Sequence, residues 1–249
     1  MGGERMRTAV VTGGGSGIGR AIAMRLAEDG VDVAILDINL AGAEETAAGV
    51  RGLGRRGVAI ETDVATSTSV AAAFEKAKSI GPVQILVNVA GIGEFMPFAD
   101  MTEEQWDRMI AVHLKGTYNC AKAAIGEMVA SGWGRIVNMA SVAGLNGGGP
   151  GLAHYSAAKG GIIGFTKALA HDVGPTGVTV NAIAPGLIDT PMIRDSAVSQ
   201  VIIQYTKERT PMRRIGLPAD IAAACLYLVA EDASFITGQI ISPNGGAYM

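Results

Sequence analysis

Tyr155 and Lys159 are the residues of this sequence best suited to proton transfer. They stand four positions apart, and on a helix that spacing places two side chains on the same face. Free tyrosine has a pKa of about 10 and is a weak base at neutral pH. Because a neighbouring ammonium stabilises the phenolate, Lys159 is expected to lower the pKa of Tyr155 towards the working range. The alternative interpretation is an ordinary surface pair.

A glycine-rich segment, Thr12-Gly13-Gly14-Gly15-Ser16-Gly17-Ile18-Gly19, follows an apolar stretch and opens a helical one. Glycines let the main chain turn sharply and approach a pyrophosphate, while the first N–H groups of the helix face its negative charge. The spacing Gly-x-x-x-Gly-x-Gly departs from the usual dinucleotide pattern, so the glycines alone are weak support. A glycine-rich turn without a ligand is the alternative.

Asp37 ends the next apolar segment, about 20 residues beyond the glycines. A carboxylate at this place can accept hydrogen bonds from the adenosine ribose hydroxyls, and it would repel a 2′-phosphate. Neither Ser16 nor Ile38 is a basic residue that could neutralise such a phosphate. These residues predict NAD as the cofactor in preference to NADP. A solvated aspartate at a strand end is the alternative.

Short apolar segments alternate with longer helical ones along the chain, which is the pattern of βαβ units. The apolar segments are continuous, as in parallel strands that helices cover on both faces. The predicted strands are residues 9–12, 32–37, 58–61, 85–88, 135–139 and 178–183. We therefore expect an α/β protein with a doubly wound parallel sheet. Ser141 then lies at the carboxyl edge of the sheet, where ligands bind.

No internal repeat or linker interrupts the chain, so residues 1–249 are predicted to form a single domain. Thr102-x-x-Gln105 predicts a capping box that opens a helix. The uncharged residues 136–158 contain five glycines and Pro150 and are interpreted as a loop between a strand and a helix, not a membrane span. Residues 187–213 break the alternation with charged and apolar side chains and are predicted to form a substrate lid.

The charge balance and the cysteines exclude several functional classes. Twenty basic and 23 acidic residues give a net charge of −3, with no long basic block, which argues against a nucleic-acid partner. Cys120 and Cys225 lie far apart in apolar helical stretches, so they predict buried thiols in a reducing cytoplasm and no disulfide or metal site. The first residues carry no export signal. We expect a cytoplasmic protein with a small-molecule substrate and no membrane partner.

Over essentially its whole length, the sequence resembles the classical short-chain dehydrogenase/reductase family. The motifs that carry the resemblance are the glycine segment 12–19, Asp63-Val64, Asn88-Val89-Ala90-Gly91, the set Ser141, Tyr155 and Lys159, and Pro185-Gly186-Leu187-Ile188-Asp189-Thr190. Their number and order make a chance match negligible. The resemblance implies a Rossmann-type, seven-stranded sheet, and a homotetramer assembled through the helices that contain Cys120 and Phe165.

The resemblance also implies a role for each site residue. Tyr155 would exchange a proton with the substrate oxygen, which Ser141 would hold, while a hydride moves to or from nicotinamide. Lys159 would tune Tyr155 and bind the nicotinamide ribose, and the main chain of Ile188 would fix the carboxamide. The implied cofactor-binding residues are Gly13, Ser16, Gly17, Ile18, Gly19, Asp37, Asp63, Val64, Asn88, Ala90, Gly91, Tyr155, Lys159, Pro185, Gly186, Ile188 and Thr190.

Three departures from the family pattern stand out. Val89 replaces the second asparagine of the usual Asn-Asn-Ala-Gly. Tyr155 follows Ser141 by 14 positions, one more than expected, so the pocket wall there is expected to be reshaped. His113 stands where the family often has a catalytic asparagine. Because imidazole can donate and accept, His113 is predicted to hold the same proton-relay water, and a packed histidine is the alternative.

These observations predict an NAD-dependent oxidoreductase that interconverts a secondary alcohol and a ketone. The expected pocket walls, residues 93–98, 145–152 and 187–212, are chiefly apolar, which favours a largely apolar small molecule. Thioesters of coenzyme A with a 3-hydroxyacyl group are also possible substrates, because five basic residues lie on the lid: Arg194, Lys207, Arg209, Arg213 and Arg214.

Two alternatives remain for the function. One is a 3-oxoacyl-carrier-protein reductase, although residues 127–133 contain no basic side chain for docking an acidic carrier. The other is a non-catalytic NAD-sensing or scaffold protein, because a fold alone does not prove activity. An altered Tyr155 or Lys159 would have favoured the scaffold, and neither residue is altered.

Overall fold

Short, apolar strands form the centre of the protein. A computed structural model describes residues 7–195 and 199–249. Within these residues seven parallel strands form one sheet in the order β3-β2-β1-β4-β5-β6-β7. The strands are β1 Thr8–Thr12, β2 Asp32–Asp37, β3 Gly57–Glu61, β4 Val83–Asn88, β5 Gly134–Met139, β6 Val178–Ile183 and β7 Ile240–Ile241. This confirms the Rossmann-type, doubly wound parallel sheet.

Helices cover both faces of the sheet. In the described residues they are α1 Gly17–Glu28, α2 Leu40–Gly52, α3 Ser67–Ala77, α4 Glu103–Ile110, α5 Gly116–Ser131, α6 Val142–Asn146, α7 Ala153–Val173, α8 Pro191–Arg194, α9 Ser199–Arg209 and α10 Pro218–Val229. A π-helical turn, Ala111–Lys115, joins α4 to α5. Short 3₁₀ turns are Lys78–Ile80, Phe98–Asp100, Gly174–Thr176 and Glu231–Ala233.

The core explains why the strands read as continuous apolar segments. Every residue of β1, β5 and β6 is buried, because helices pack on both sides. On one face Ile22, Ile35 and Leu228 belong to one apolar cluster. On the other face Phe74 and Met128 belong to a second cluster. The sheet is therefore a rigid platform from which loops extend at its carboxyl edge.

The strand order reverses between β1 and β4, which are neighbours in the sheet although two strands lie between them in sequence. Val10 of β1 pairs with Ala34 on one side and Leu86 on the other. Helices following these two strands leave in opposite directions, so a crevice opens at their carboxyl ends. The predicted site residues cluster around this crevice.

The helical details confirm the capping box and refine the loops. Thr102 accepts a hydrogen bond from the main-chain N–H of Gln105, whose side chain accepts from the N–H of Thr102. The segment 136–158, predicted as a loop after its strand, contains the short helix α6 before α7 begins. The predicted lid, 187–213, contains α8 and α9, and its residues 196–198 lie outside the described part of the chain.

None of the helices within residues 7–195 and 199–249 is long and apolar enough to cross a lipid bilayer. In the same part of the chain, no group of three or more histidine, cysteine, aspartate or glutamate side chains is arranged to hold a metal ion. Cys120 and Cys225 are both buried free thiols, and burial raises the pKa of each to about 12.

Candidate active site

One cavity of about 1400 Å³ lies at the carboxyl edge of the sheet. Its walls contain nearly all of the site residues predicted from the sequence: Gly13, Ser16, Gly17, Ile18, Gly19, Asp37, Asp63, Val64, Ala90, Gly91, His113, Ser141, Tyr155, Lys159, Pro185, Gly186, Ile188 and Thr190. Asn88 is the exception. It lines a separate small crevice that shares Val64, Ala90 and Val112 with the cavity wall.

The glycine segment between β1 and α1 requires glycine at particular positions. Gly13 has a φ of 64°, and a Cβ there would lie 2.8 Å from the Cα of Ala90. A Cβ on Gly19 would overlap the carbonyl oxygen of Gly13. Ser16 precedes α1 without capping it through its side chain, so the first N–H groups of the helix remain open to a ligand. This arrangement has the main-chain geometry expected of a binding site for a phosphate group.

Asp37 lies at the end of β2 directly beside the glycine segment. One carboxylate oxygen accepts a hydrogen bond from the N–H of Gly15 at 2.8 Å, and the other accepts from the N–H of Asn39 at 2.9 Å. The side chain is therefore held at the cavity wall by main-chain donors. A carboxylate fixed in this way presents negative charge next to the segment that would bind phosphate.

Asp63 and Val64 form the wall after β3. The carboxylate of Asp63 accepts hydrogen bonds from the N–H of Ala65 and the hydroxyl of Thr66, so it stabilises its own turn. The carbonyl oxygen of Val64 accepts from the Asn119 amide on α5 at 2.9 Å. Asn119 was not predicted, although a buried amide within an apolar helix is a sequence signal for such a contact.

Asn88 is the first residue of a buried polar chain across the sheet. Its amide donates to the side-chain oxygen of Asn138 on β5 at 2.9 Å, and the Asn138 amide donates to the hydroxyl of Thr166 on α7 at 3.0 Å. All three side chains are buried. Neither Asn138 nor Thr166 was predicted from the sequence. Their contacts fix α7 against β5, and α7 also carries Tyr155 and Lys159.

Ser141, Tyr155 and Lys159 come together at one wall of the cavity. Ser141 follows β5 and caps α6, accepting from the N–H of Ala143 at 3.1 Å, and its hydroxyl also hydrogen-bonds Tyr155. Lys159 is 4% exposed. Its Nζ donates to the carbonyl oxygen of Met139 at 2.6 Å and lies 5.5 Å from the centre of the Tyr155 ring.

The pKa values of this group differ from the sequence-based expectation. Desolvation raises the pKa of Tyr155, and the hydrogen bond from Ser141 only partly offsets that effect. Lys159 was expected to lower the pKa of Tyr155, but in the protein without ligand desolvation is the larger influence and the pKa is raised, while the Lys159 ammonium donates to the carbonyl oxygen of Met139. Burial lowers the pKa of Lys159 itself to about 7. Tyr155 is therefore a neutral phenol at neutral pH and carries the proton that it would transfer.

His113 occupies the π-helical turn Ala111–Lys115 and is buried. Its Nε2 lies 3.0 Å from the main-chain nitrogen of Ile92 and 2.8 Å from its carbonyl oxygen, while Nδ1 has no hydrogen-bond partner. The imidazole meets the Tyr155 ring edge to face at 5.4 Å. Burial, and next the charge of Lys159, lowers the pKa of His113 to about 3. The ring is therefore neutral at mildly acidic and neutral pH.

The predicted lid packs against two glycines of the cavity wall, Gly93 and Gly17. A Cβ on Gly93 would meet the side chain of Met192 at 2.7 Å, and a Cβ on Gly17 would meet Thr190 at 3.4 Å. The main chain of Ile188 forms an isolated β-bridge with Gly216. The start of the lid is thus seated against both the glycine segment and the loop after β4.

The basic side chains of the lid do not face the cavity. Arg194 pairs with both carboxylate oxygens of Asp189 at 2.6 and 2.9 Å, and Arg214 pairs with Asp220 at 2.6 and 3.0 Å. All five lid cations noted in the sequence belong to the described residues, and none of them lines the cavity. The positions of these cations therefore give no support to esters of coenzyme A as substrates.

Comparison with known proteins gives consistent matches along the chain. The family model described as "Enoyl-(Acyl carrier protein) reductase" matches residues 13–248. The acetoacetyl-CoA reductase of Cupriavidus necator is 42% identical over 245 residues, covering 98% of each protein. The 3-oxoacyl-[acyl-carrier-protein] reductase FabG of Staphylococcus aureus is 40% identical over 248 residues, again covering 98% of each.

A solved structure extends the likeness to three dimensions. The 3-oxoacyl-[acyl-carrier protein] reductase of Brucella melitensis with bound NAD superimposes with a TM-score of 0.90 at 38% identity, covering 99% of this chain and 92% of that one. With matches of this extent in sequence and in fold, the chain belongs to the short-chain dehydrogenase/reductase family, a family of oxidoreductases that act on CH–OH and keto groups.

Proposed function

We propose that this protein is an NAD-dependent oxidoreductase that reduces a 3-oxoacyl thioester, or a similar uncharged ketone, to the secondary alcohol and catalyses the reverse reaction. The observation that carries the proposal is the convergence of Ser141, Tyr155 and Lys159 on the cavity that the glycine segment also lines. The named activities of the C. necator, S. aureus and B. melitensis relatives support the 3-oxoacyl substrate class.

The residues of the cavity fit a nicotinamide dinucleotide. Gly13 and Gly19 leave a cradle that side chains would fill, and the uncapped start of α1 provides N–H donors for a pyrophosphate. The fixed carboxylate of Asp37 supports NAD over NADP, because a 2′-phosphate would meet a like charge. The NAD in the B. melitensis structure is consistent with this choice.

The proposed mechanism assigns one task to each catalytic side chain. Bound nicotinamide supplies or accepts the hydride. Tyr155, which its raised pKa keeps protonated at neutral pH, donates its phenolic proton to the ketone oxygen, and Ser141 donates a hydrogen bond to the same oxygen. Lys159, held at the carbonyl of Met139, supplies positive charge next to the phenolate that forms when Tyr155 gives up its proton.

His113 is proposed to take part in returning the proton to Tyr155. Its neutral ring and the unpartnered Nδ1 leave one nitrogen able to hold a water molecule, while Nε2 is engaged by Ile92. This is the role that the sequence predicted for a replacement of the family asparagine. A histidine that only braces Ile92 is the alternative.

A substrate screen in both directions tests the proposed function. Acetoacetyl-CoA, acetoacetyl-carrier protein and methyl acetoacetate are tested with NADH, and a panel of secondary alcohols is tested with NAD⁺, in each case by following the absorbance of the reduced cofactor. Turnover of the CoA thioester and of the ester supports the proposal, and turnover of the carrier-protein substrate alone favours the 3-oxoacyl-carrier-protein reductase. A protein that binds NADH but is inert towards the whole panel supports the scaffold alternative.

The assembly and location belong to the same proposal. Tyr118 on α5 is 50% exposed, and a large ring left at the surface of this helix supports a homotetramer formed through α5 and α7. Cys120 and Cys225 remain free thiols, which is typical of proteins from a reducing cytoplasm.

A further inference from the structure

Glu94 is a charged residue of the cavity wall to which the proposed reaction gives no task. It follows β4 in the loop before α4, is half-buried and lines the cavity. Its Oε1 accepts a hydrogen bond from the side-chain amide of Gln105 at 2.6 Å. Gln105 is in turn held by the two capping-box hydrogen bonds with Thr102. The carboxylate of Glu94 is therefore fixed in position and cannot swing away without breaking a hydrogen bond.

The loop around Glu94 is fastened on both sides to elements of the substrate end of the cavity. On one side Gly93 packs against Met192 of the lid. On the other side the N–H of Met96 donates to the carbonyl oxygen of Gly151, just before α7. Glu94 thus lies between the lid and the loop that leads to Tyr155.

The charge of Glu94 is not neutralised by the protein. Within residues 7–195 and 199–249 no cation lies within ion-pairing distance of its carboxylate, and the basic residues of the lid face away from the cavity. Asp195 is a further carboxylate that lines the cavity. Among the described residues, Arg108 on α4 and Lys159 are the arginine and lysine side chains that line it. The carboxylate of Glu94 is therefore a fixed negative charge between the lid and the loop before α7.

We propose that Glu94 selects substrates by their charge. It excludes ketones that carry a carboxylate next to the reacting carbonyl, and it admits neutral esters and thioesters. The inference rests on the proposed function and narrows its substrate class. Like charges in a partly desolvated cavity repel strongly, because water screens them poorly. Esterification removes the negative charge of a 3-oxo acid while leaving its carbon skeleton unchanged, so the neutral acyl form escapes this repulsion.

The test compares acetoacetate with methyl acetoacetate, which differ at this group only by the charge-removing methyl ester. We expect kcat/KM with saturating NADH to be at least about tenfold higher for the ester, which corresponds to about 1.4 kcal/mol. Glu94→Gln keeps the hydrogen-bond acceptor for Gln105 and should raise kcat/KM for acetoacetate about tenfold while leaving that of the ester within twofold. Glu103→Gln, which removes an exposed charge from α4, is the matched control and should change neither value.

A measurement at raised salt concentration needs no variant. Because salt screens charges, the ratio of kcat/KM for methyl acetoacetate to kcat/KM for acetoacetate should become smaller in the unaltered protein. The inference is overturned if the unaltered protein uses both substrates equally, or if Glu94→Gln leaves the ratio unchanged. A ratio that shifts in Arg108→Gln but not in Glu94→Gln would assign charge selection to Arg108. Absence of turnover with the ester, with acetoacetyl-CoA and with acetoacetyl-carrier protein refutes the proposed function itself.

Discussion

Replacing Lys159 with methionine is expected to stabilise the protein while abolishing its activity. Lys159 is 4% exposed and its pKa falls from 10.5 to about 7 because of burial. At about 1.4 kcal/mol for each tenfold change in proton affinity, the charged form costs the folded state about 5 kcal/mol. Methionine removes that cost but leaves the carbonyl of Met139 without its donor, which costs about 1–3 kcal/mol. A net gain of about 2–4 kcal/mol remains.

The sign of the pH dependence follows from the same lowered pKa. Below pH 7 the amine is protonated in both the folded and the unfolded protein, so the full cost is present. Between about 7 and 10.5 the folded protein releases this proton and the unfolded chain keeps it, so the unaltered protein gains stability as pH rises. The advantage of Lys159→Met should therefore be largest near pH 6 and should turn into a net loss of stability by pH 10, because the cost of leaving the Met139 carbonyl without its donor remains.

Thermal and urea unfolding at fixed protein concentration, without cofactor, measure this effect. For a chain of this size the expected gain near pH 6 is an increase in Tm of about 5–10 °C. Lys167→Met, an exposed lysine on the same helix, is the control and should change stability by less than about 0.5 kcal/mol. Destabilisation by Lys159→Met at pH 6, or a gain that does not vary with pH, would refute the reasoning.

Three further predictions concern the cofactor, the relay and the assembly. Asp37 should make NADH bind at least about tenfold more tightly than NADPH in fluorescence titrations, and equal affinity would remove its role as selector. His113→Asn should keep most activity whereas His113→Leu should lose about 10²-fold, and unchanged turnover in the leucine variant would show that His113 only packs. Light scattering at micromolar concentration should give a homotetramer, and a monomer would contradict the interface at Tyr118 and Phe165.

The sheet could be predicted from regular sequence patterns, but the chemistry of the pocket could be predicted only in part. Six strands could be predicted because each is a continuous apolar segment. The seventh, β7, has only two residues, Ile240–Ile241, which are too few for any periodic signal. The resemblance to the family supplied the seventh strand. The motifs likewise predicted which residues meet at the cavity, because parallel strands end at one edge.

What the sequence could not supply is the balance of competing interactions. The effect of Lys159 on Tyr155 was judged from spacing alone, whereas the depth of the cavity makes desolvation the larger influence. Arg194 was read as a free lid cation, but Asp189, five residues away in a non-helical turn, binds it. The hydrogen bond from Gln105 to Glu94 depends on the path of a loop, which no local sequence pattern specifies.

The most direct test of the proposed chemistry is Tyr155→Phe, which removes the transferable proton and little else. Turnover of acetoacetyl-CoA or methyl acetoacetate with NADH should fall by about 10²-fold or more, while the Kd for NADH stays within a few-fold of the unaltered protein. Loss of turnover with intact cofactor binding is the result this account predicts. A phenylalanine variant that still reduces these substrates at a comparable rate would contradict it, because another group would then have to donate the proton.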